Sequence, residues 1–189
     1  MYEKYDSKKI EHRSGNGMRL AFMRFPLLPT YILSELTDIT QDFLQKEKID
    51  LLIMDFDNTI VPYTTSEPTE EMAEWIQSLP ELGIPYCVVS NSRKPRVVVF
   101  CEKYGIPVFT NAKKPFSKGI RQALAAYPDS VHAALVGDQI YTDVLGAGLA
   151  GIRSILVTPI HLHKWYLILR HWVEIPWIKM KKCIIRRSR

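Results

Sequence analysis

Residues 51–60 read Leu-Leu-Ile-Met-Asp-Phe-Asp-Asn-Thr-Ile, and this stretch limits the fold more than any other. Four consecutive apolar residues fit a strand buried on both faces, as in a parallel sheet, and not a half-solvated strand with alternating polarity. At its end come Asp55 and Asp57, two carboxylates two positions apart. In an open α/β sheet the carboxyl ends of the strands border the crevice where ligands bind, so both carboxylates are candidate functional groups. No basic residue stands beside them in the sequence. Two anions so close raise each other's pKa unless a cation joins them, and a hard dication such as Mg²⁺ suits carboxylate and phosphate oxygens.

The following sequence repeats a strand–helix rhythm. After the loop from Pro62 to Pro68, Met72, Trp75, Ile76 and Leu79 fall on one helical face, with Glu70 and Glu71 in the first turn. Residues 86–90 read as a strand ending in Ser90-Asn91-Ser92. Val97, Phe100, Cys101 and Tyr104 form a second stripe closed by Gly105, and residues 106–109 make a short strand. Beyond Asn111-Ala112-Lys113-Lys114-Pro115, a helix carries Ile120, Ala123, Leu124 and Tyr127. Residues 133–136 form a fourth strand ending in Gly137-Asp138, residues 142–150 a glycine-rich helix, and residues 154–157 a fifth strand. Upstream, Thr40 is placed to cap a helix over residues 41–46. Strands alternating with helices predict a Rossmann-like, doubly wound parallel α/β sheet of about five core strands with right-handed crossovers.

The strand ends deliver, in chain order, Asp55 and Asp57, then Ser90, then Lys113 or Lys114, then Asp138 with Asp143. This succession resembles the four motifs of the haloacid-dehalogenase-like (HAD) phosphohydrolases, beginning with Asp-x-Asp-x-Thr. The resemblance implies that Asp55 is a nucleophile forming an aspartyl-phosphate and that Asp57 is the general acid and base. It further implies Mg²⁺ held by Asp55, the backbone carbonyl of Asp57 and Asp138, with Asp143 a direct or water-mediated ligand, and phosphoryl oxygens held by Ser90, Asn91 and a motif-three lysine. Lys114 is favoured for the last role because Pro115 biases it to an extended backbone, and Lys113 is its competitor. Thr59 is expected to shape the first turn.

Many HAD enzymes insert a cap after the first motif or between the second and third. Here only residues 60–85 and 92–112 are free for one, and each is used by a single helix, so the fold is expected to lack a cap domain. A capless site cannot close over a small substrate, which favours a phosphate on something large. Within the superfamily the sequence resembles the YqeG type of subclass IIIA, related to the mitochondrial phosphatidylglycerophosphatases. The residues concerned are Leu28-Pro29, Asp38-Ile39-Thr40, the Asp55 motif, Ser90-Asn91-Ser92, Ala112-Lys113-Lys114-Pro115, Gly137-Asp138-Gln139 and Thr142-Asp143. That resemblance implies a phosphatidylglycerophosphate phosphatase. A phosphatase acting on a polynucleotide or a phosphoprotein is the alternative enzyme reading. A switch domain merely phosphorylated on Asp55 is the non-enzyme reading, and Asp57 argues against it.

Charge divides the chain of 189 residues into three parts. Residues 1–24 hold 6 Lys/Arg against 3 Asp/Glu, residues 25–160 hold 11 against 16, and residues 161–189 hold 8 against 1. We therefore expect a mobile arm over 1–24, a phosphatase domain over 25–160 and a basic amphipathic segment over 161–189. In the last segment Trp165, Trp172 and Trp177 lie among lysines and arginines, a composition suited to the periphery of an anionic membrane, with nucleic acid as the alternative partner. The N-terminus has no signal-peptide pattern and no apolar run reaches a membrane span of roughly 20 residues, so a cytoplasmic protein, peripheral on the inner membrane face, is expected. The three cysteines do not suggest a disulfide framework or zinc site, and Cys87 and Cys101 read as small core residues.

Overall fold

The computed structural model describes residues 26–161. The arm expected over 1–24 and the basic segment from Leu162 onward, with its tryptophan-bearing face, lie outside the described residues. Within them the strands are β1 (Tyr31–Ile32), β2 (Leu51–Met54), β3 (Tyr86–Val89), β4 (Val108–Phe109), β5 (Ala133–Gly137) and β6 (Arg153–Leu156). The helices are α1 (Gln41–Lys46), α2 (Glu70–Ser78), α3 (Pro95–Lys103), α4 (Lys118–Ala126) and α5 (Leu145–Ala150). All strand pairs are parallel, in the order β1-β6-β5-β2-β3-β4. From β2 the chain winds outward through β3 and β4, then returns across β2 to β5. The topological switch point is therefore at the end of β2, where Asp55 stands.

Side-chain alternation along β2 separates two cores. Leu52 and Met54 pack with Trp75, Ile76, Val97 and Phe100 from α2 and α3 on one face, while Leu51 and Ile53 pack with Ile120, Ala123 and Ala147 from α4 and α5 on the other. Because both faces are covered, the strand can be apolar throughout, and all four residues are buried. Helix starts follow local capping chemistry. Thr40 accepts a hydrogen bond from the Phe43 N–H at 3.2 Å and Thr69 one from the Met72 N–H at 3.3 Å. Gly105, just past α3, adopts φ +65°, which a residue without Cβ takes at little cost. Trp75 packs in the core, with its indole N–H donating to the Ile39 carbonyl at 3.2 Å.

Two details depart from the pattern read in the sequence. β1 is a sixth strand, paired to β6, and its two residues between Pro29 and a 3₁₀ turn at Leu36–Asp38 are too short to show alternation. The helix expected over 142–150 begins instead as a π-helical turn, Ile140–Val144, before continuing as α5. Among the described residues no cap domain interrupts the fold: residues 60–85 hold α2 and a 3₁₀ turn, and residues 92–112 hold α3 and β4. Cys87 and Cys101 are free and buried, and burial pushes both thiols up to about 12.

Candidate active site

The carboxyl edge of β2 continues into Asp55, whose backbone N–H donates to the Val136 carbonyl of β5 at 2.9 Å. That bond seats the Asp55 backbone against the neighbouring strand. Immediately after β5, Asp138 accepts a 3.2 Å hydrogen bond from the Gln139 side-chain amide, and Asp143 reaches back from the π-helical turn to accept from the Gln139 N–H at 3.1 Å. Oxygens of Asp55, Asp138 and Asp143 all lie within 4.8 Å of one another, and all three residues are buried. Gly137 makes this approach possible, since a Cβ there would stand 2.4 Å from the Asp143 carboxyl carbon.

One ammonium enters this acidic cluster. Lys114, 5% exposed, places Nζ 2.6 Å from Asp55 Oδ1 and 2.7 Å from Asp143 Oδ1. Lys113 is exposed, with φ +56°, so the structure brings Lys114 and not Lys113 into the site. The Lys114–Pro115 peptide is cis. Burial pulls the Lys114 ammonium down, but Asp143 and Asp55 together more than offset it, and the group stays protonated well above the usual lysine range. For Asp55 burial outweighs the attraction of Lys114, and with Asp143 adding repulsion its carboxyl is pushed up to about 6. Three buried carboxylates around one ammonium leave a negative balance that a hard dication would neutralise. The donor set, all carboxylate oxygens in one small volume, fits Mg²⁺. Two buried hydroxyls, Thr59 Oγ1 and Thr142 Oγ1, make no hydrogen bond.

The remaining expected residues are placed as follows. Ser90 is buried at the end of β3, its Oγ accepting from the Ser92 N–H at 3.1 Å. Asn91, expected to touch phosphate, instead uses both polar atoms of its side-chain amide on the Lys114 backbone. Its Nδ2 donates to the Lys114 carbonyl at 2.9 Å, and its Oδ1 accepts from the Lys114 N–H at 2.6 Å. The carboxylate of Asp57 stands apart from the other three acids and pairs with Arg96 on the first turn of α3. Arg96 also donates to the carbonyls of Pro62, at 3.3 Å, and Thr65, and its guanidinium lies 5.3 Å from the centre of the Phe56 ring.

No basic residue neighbours Asp55 or Asp57 in the sequence, and the fold supplies their partners from a distance. Their partners, Lys114 and Arg96, lie 59 and 39 positions away along the chain. No motif spacing marked Arg96. Its one local signal is Pro95 at the start of α3, which fixes where the first turn of that helix begins.

Comparison with known proteins places these residues in a family. A family model described as HAD-hydrolase-like matches residues 111–159. A curated relative from Bacillus subtilis (strain 168), "Probable phosphatase YqeG", is 34% identical over 134 residues, spanning 70% of this chain and 78% of the relative.

Proposed function

The chain belongs to the haloacid-dehalogenase-like phosphatases of the YqeG type, and from that premise we propose that it hydrolyses a phosphomonoester in two steps through Asp55. The observation that supports this most directly is the buried cluster of Asp55, Asp138, Asp143 and Lys114 at the switch point of the sheet. In the first step an Asp55 oxygen attacks phosphorus. The bond to the leaving oxygen breaks, Asp57, having taken up a proton from solvent on parting from Arg96, passes it to that oxygen, and an aspartyl-phosphate remains. In the second step water attacks the phosphorus and passes a proton to Asp57, and the bond to Asp55 breaks to release inorganic phosphate.

In this reading Lys114 and Ser90 hold the phosphoryl oxygens, and Asp57 turns from Arg96 toward the leaving oxygen when substrate is present. Asp55, Asp138, Asp143 and the backbone carbonyl of Asp57 would hold Mg²⁺, which supplies positive charge to offset that of the carboxylates and the phosphate. Lys114 would pass from a counter-ion of Asp55 to a ligand of the phosphoryl group. Phosphoryl transfer depends mainly on positioning and charge stabilisation, and a preformed cationic arm beside the nucleophile serves both.

The substrate we propose is phosphatidylglycerophosphate, presented in a membrane. The site lies on the open carboxyl edge of the sheet with no cap domain among the described residues, an arrangement suited to a phosphate on a large or surface-bound molecule. Among the same residues no helix is long and apolar enough to cross a membrane, so in this reading the enzyme meets lipid at the surface. The test is a release assay for inorganic phosphate by purified protein with Mg²⁺, offered phosphatidylglycerophosphate, phosphatidic acid, a 3′-phosphorylated oligonucleotide, a phosphopeptide and nucleotides. Highest kcat/KM on phosphatidylglycerophosphate is expected. Preference for the oligonucleotide or the phosphopeptide would replace the lipid with that substrate, and no turnover of any would reject the hydrolytic mechanism.

A further inference from the structure

Two segments after β3 and β4, residues 91–96 and 111–122, contain 7 of the 11 Lys/Arg of residues 25–160 and none of its 16 Asp/Glu. The segments are stitched together. The Arg93 guanidinium donates to Asn111 Oδ1 at 3.0 Å, the Asn111 N–H to the Ser92 carbonyl at 3.2 Å and the Ala112 N–H to the Ser90 carbonyl at 3.0 Å. The Asn91 amide adds its two bonds to Lys114. Of the seven cations, Arg96 and Lys114 turn inward to acids. Arg93, Lys94, Lys113, Lys118 and Arg121 are exposed. The same surface bears Phe116 at 73% exposure, beside a shallow groove that it lines with Lys118, Arg121 and Ala125.

We propose that this rim docks the protein on an anionic lipid surface, its cations engaging headgroups and Phe116 entering the interface. The proposal rests on the membrane-lipid reading above and names the surface that reading requires. Charge complementarity is its main support, because cations are gathered at one edge of an otherwise acidic domain, next to the lysine that enters the site. Phe116 decides between lipid and polynucleotide. A phenyl ring has no hydrogen-bonding end and prefers an apolar medium, whereas a single-strand platform stacks successive bases on several aromatic faces. Phe116 is the one aromatic residue in the two segments. Docking here would bring the carboxyl edge of the sheet, and Asp55 with it, against the layer that holds the substrate.

The test uses the full chain with Cys183→Ser and Phe116→Cys, labelled at position 116 with an environment-sensitive nitrobenzoxadiazole. Burial and raised thiol pKa keep Cys87 and Cys101 from competing for the label. A control carries the label at Val131→Cys, 78% exposed before β5 on the opposite edge of the sheet. We expect a blue shift at position 116 with phosphatidylglycerol-rich vesicles, none with pure phosphatidylcholine, and none at position 131. A second arm, Lys118→Ser with Arg121→Ser, should raise KM for vesicle-borne substrate about tenfold while leaving kcat/KM on para-nitrophenyl phosphate unchanged. Silence at position 116 overturns the rim, whether or not the protein binds vesicles by its C-terminal segment. A larger response to single-stranded RNA than to vesicles overturns the lipid surface. Detergent-dispersed phosphatidylglycerophosphate separates the two ideas: turnover with a silent label rejects the rim alone, and a responding label without turnover rejects the substrate alone.

Discussion

The two flanks of β2 supply opposite charges to the site by different means. On the β5 flank Asp138 and Asp143 come from one short run of chain, fixed by the strand end, the Gln139 backbone and the close approach over Gly137. On the β3 and β4 flank the cations arrive on long side chains from separate segments, and polar clamps hold them: Asn91 on Lys114, and the carbonyls of Pro62 and Thr65 on Arg96. The acidic flank thus combines close steric fit with hydrogen bonds inside one short run, whereas the cationic flank relies on hydrogen bonds between distant segments. Added volume should damage the first, and loss of a polar partner the second.

Asp55 stands between the flanks, and its removal should have the largest effect. Asp55→Asn is expected to lower turnover by about 10⁴-fold or more, the scale of removing a nucleophile. The same change should stabilise the metal-free protein at pH 7. Folding raises the Asp55 carboxyl from 3.8 to about 6, so it favours the neutral form. The stability from this group is fully present below about pH 4 and is lost as pH rises through 6. With chelator present, the variant should therefore melt above the parent at pH 7, with the gap closing toward pH 4. Adding Mg²⁺ at pH 7 should also narrow the gap. A variant that melts lower at pH 7 in chelator would mean that Lys114 needs Asp55 more than burial penalises it.

Lys114→Ala comes next, with an expected loss of roughly 10²- to 10³-fold in kcat, while Lys113→Ala stays within about twofold. Removing Lys114 also strands two buried carboxylates, which costs about 3–5 kcal/mol where a buried pair is broken. Thermal melts should show that loss for Lys114→Ala and recover part of it with Mg²⁺. Equal small effects of both substitutions would remove the cationic arm from the mechanism.

Gly137→Ala tests the acidic flank by volume alone. Its new Cβ would meet the Asp143 carboxyl group, and overpacking of this kind costs about 1–3 kcal/mol. The displaced Asp143 should also weaken the site for the cation. We expect the Mg²⁺ concentration for half-maximal activity to rise several-fold. Unchanged Mg²⁺ dependence at reduced stability would take Asp143 out of the cation site.

This contrast also explains what could be read from the sequence. Asp55 and Asp138 were legible because they sit at strand ends, announced by the apolar run 51–54 and by residues 133–137, and Asp143 follows in the turn after the second of them. The sheet was legible for the same reason, since both cores follow strand alternation and helical stripes. The cationic flank depends on reach. Pro115 favours Lys114 over Lys113, as the structure has it, but the φ +56° turn at Lys113 and the acids that Lys114 reaches are not encoded in local spacing. Arg96 meets Asp57 only once α3 packs beside the Phe56 ring. The family resemblance implies a phosphate contact for Asn91, and local sequence gives no sign that its amide would bond the Lys114 backbone in another strand's loop. Where pairing of two distant loops decides a side chain's task, the local pattern names the residue and leaves its partner open.

Asn91 gives the smallest expected effect and the finest test of the clamp. Asn91→Ala removes two part-buried hydrogen bonds from the Lys114 backbone, each worth about 1 kcal/mol or less at this exposed residue, so the loss of stability should be modest. Loosened positioning of Lys114 should lower kcat roughly three- to tenfold, with the melting temperature shifted by no more than a few degrees. Asn91→Asp separates a clamp from a phosphate ligand. A carboxylate at position 91 still accepts from the Lys114 N–H but sets its other oxygen against the Lys114 carbonyl, so for a clamp the kept bond and the new repulsion offset each other and Asp should match Ala within about twofold. If Asn91 touched phosphate, the added negative charge would repel it, making Asp the worse variant and weakening inhibition by inorganic phosphate. The ratio of Asp to Ala in kcat, with the inhibition constant for phosphate beside it, therefore shows whether the cationic flank is held through hydrogen bonds to the backbone or contacts the substrate directly at position 91.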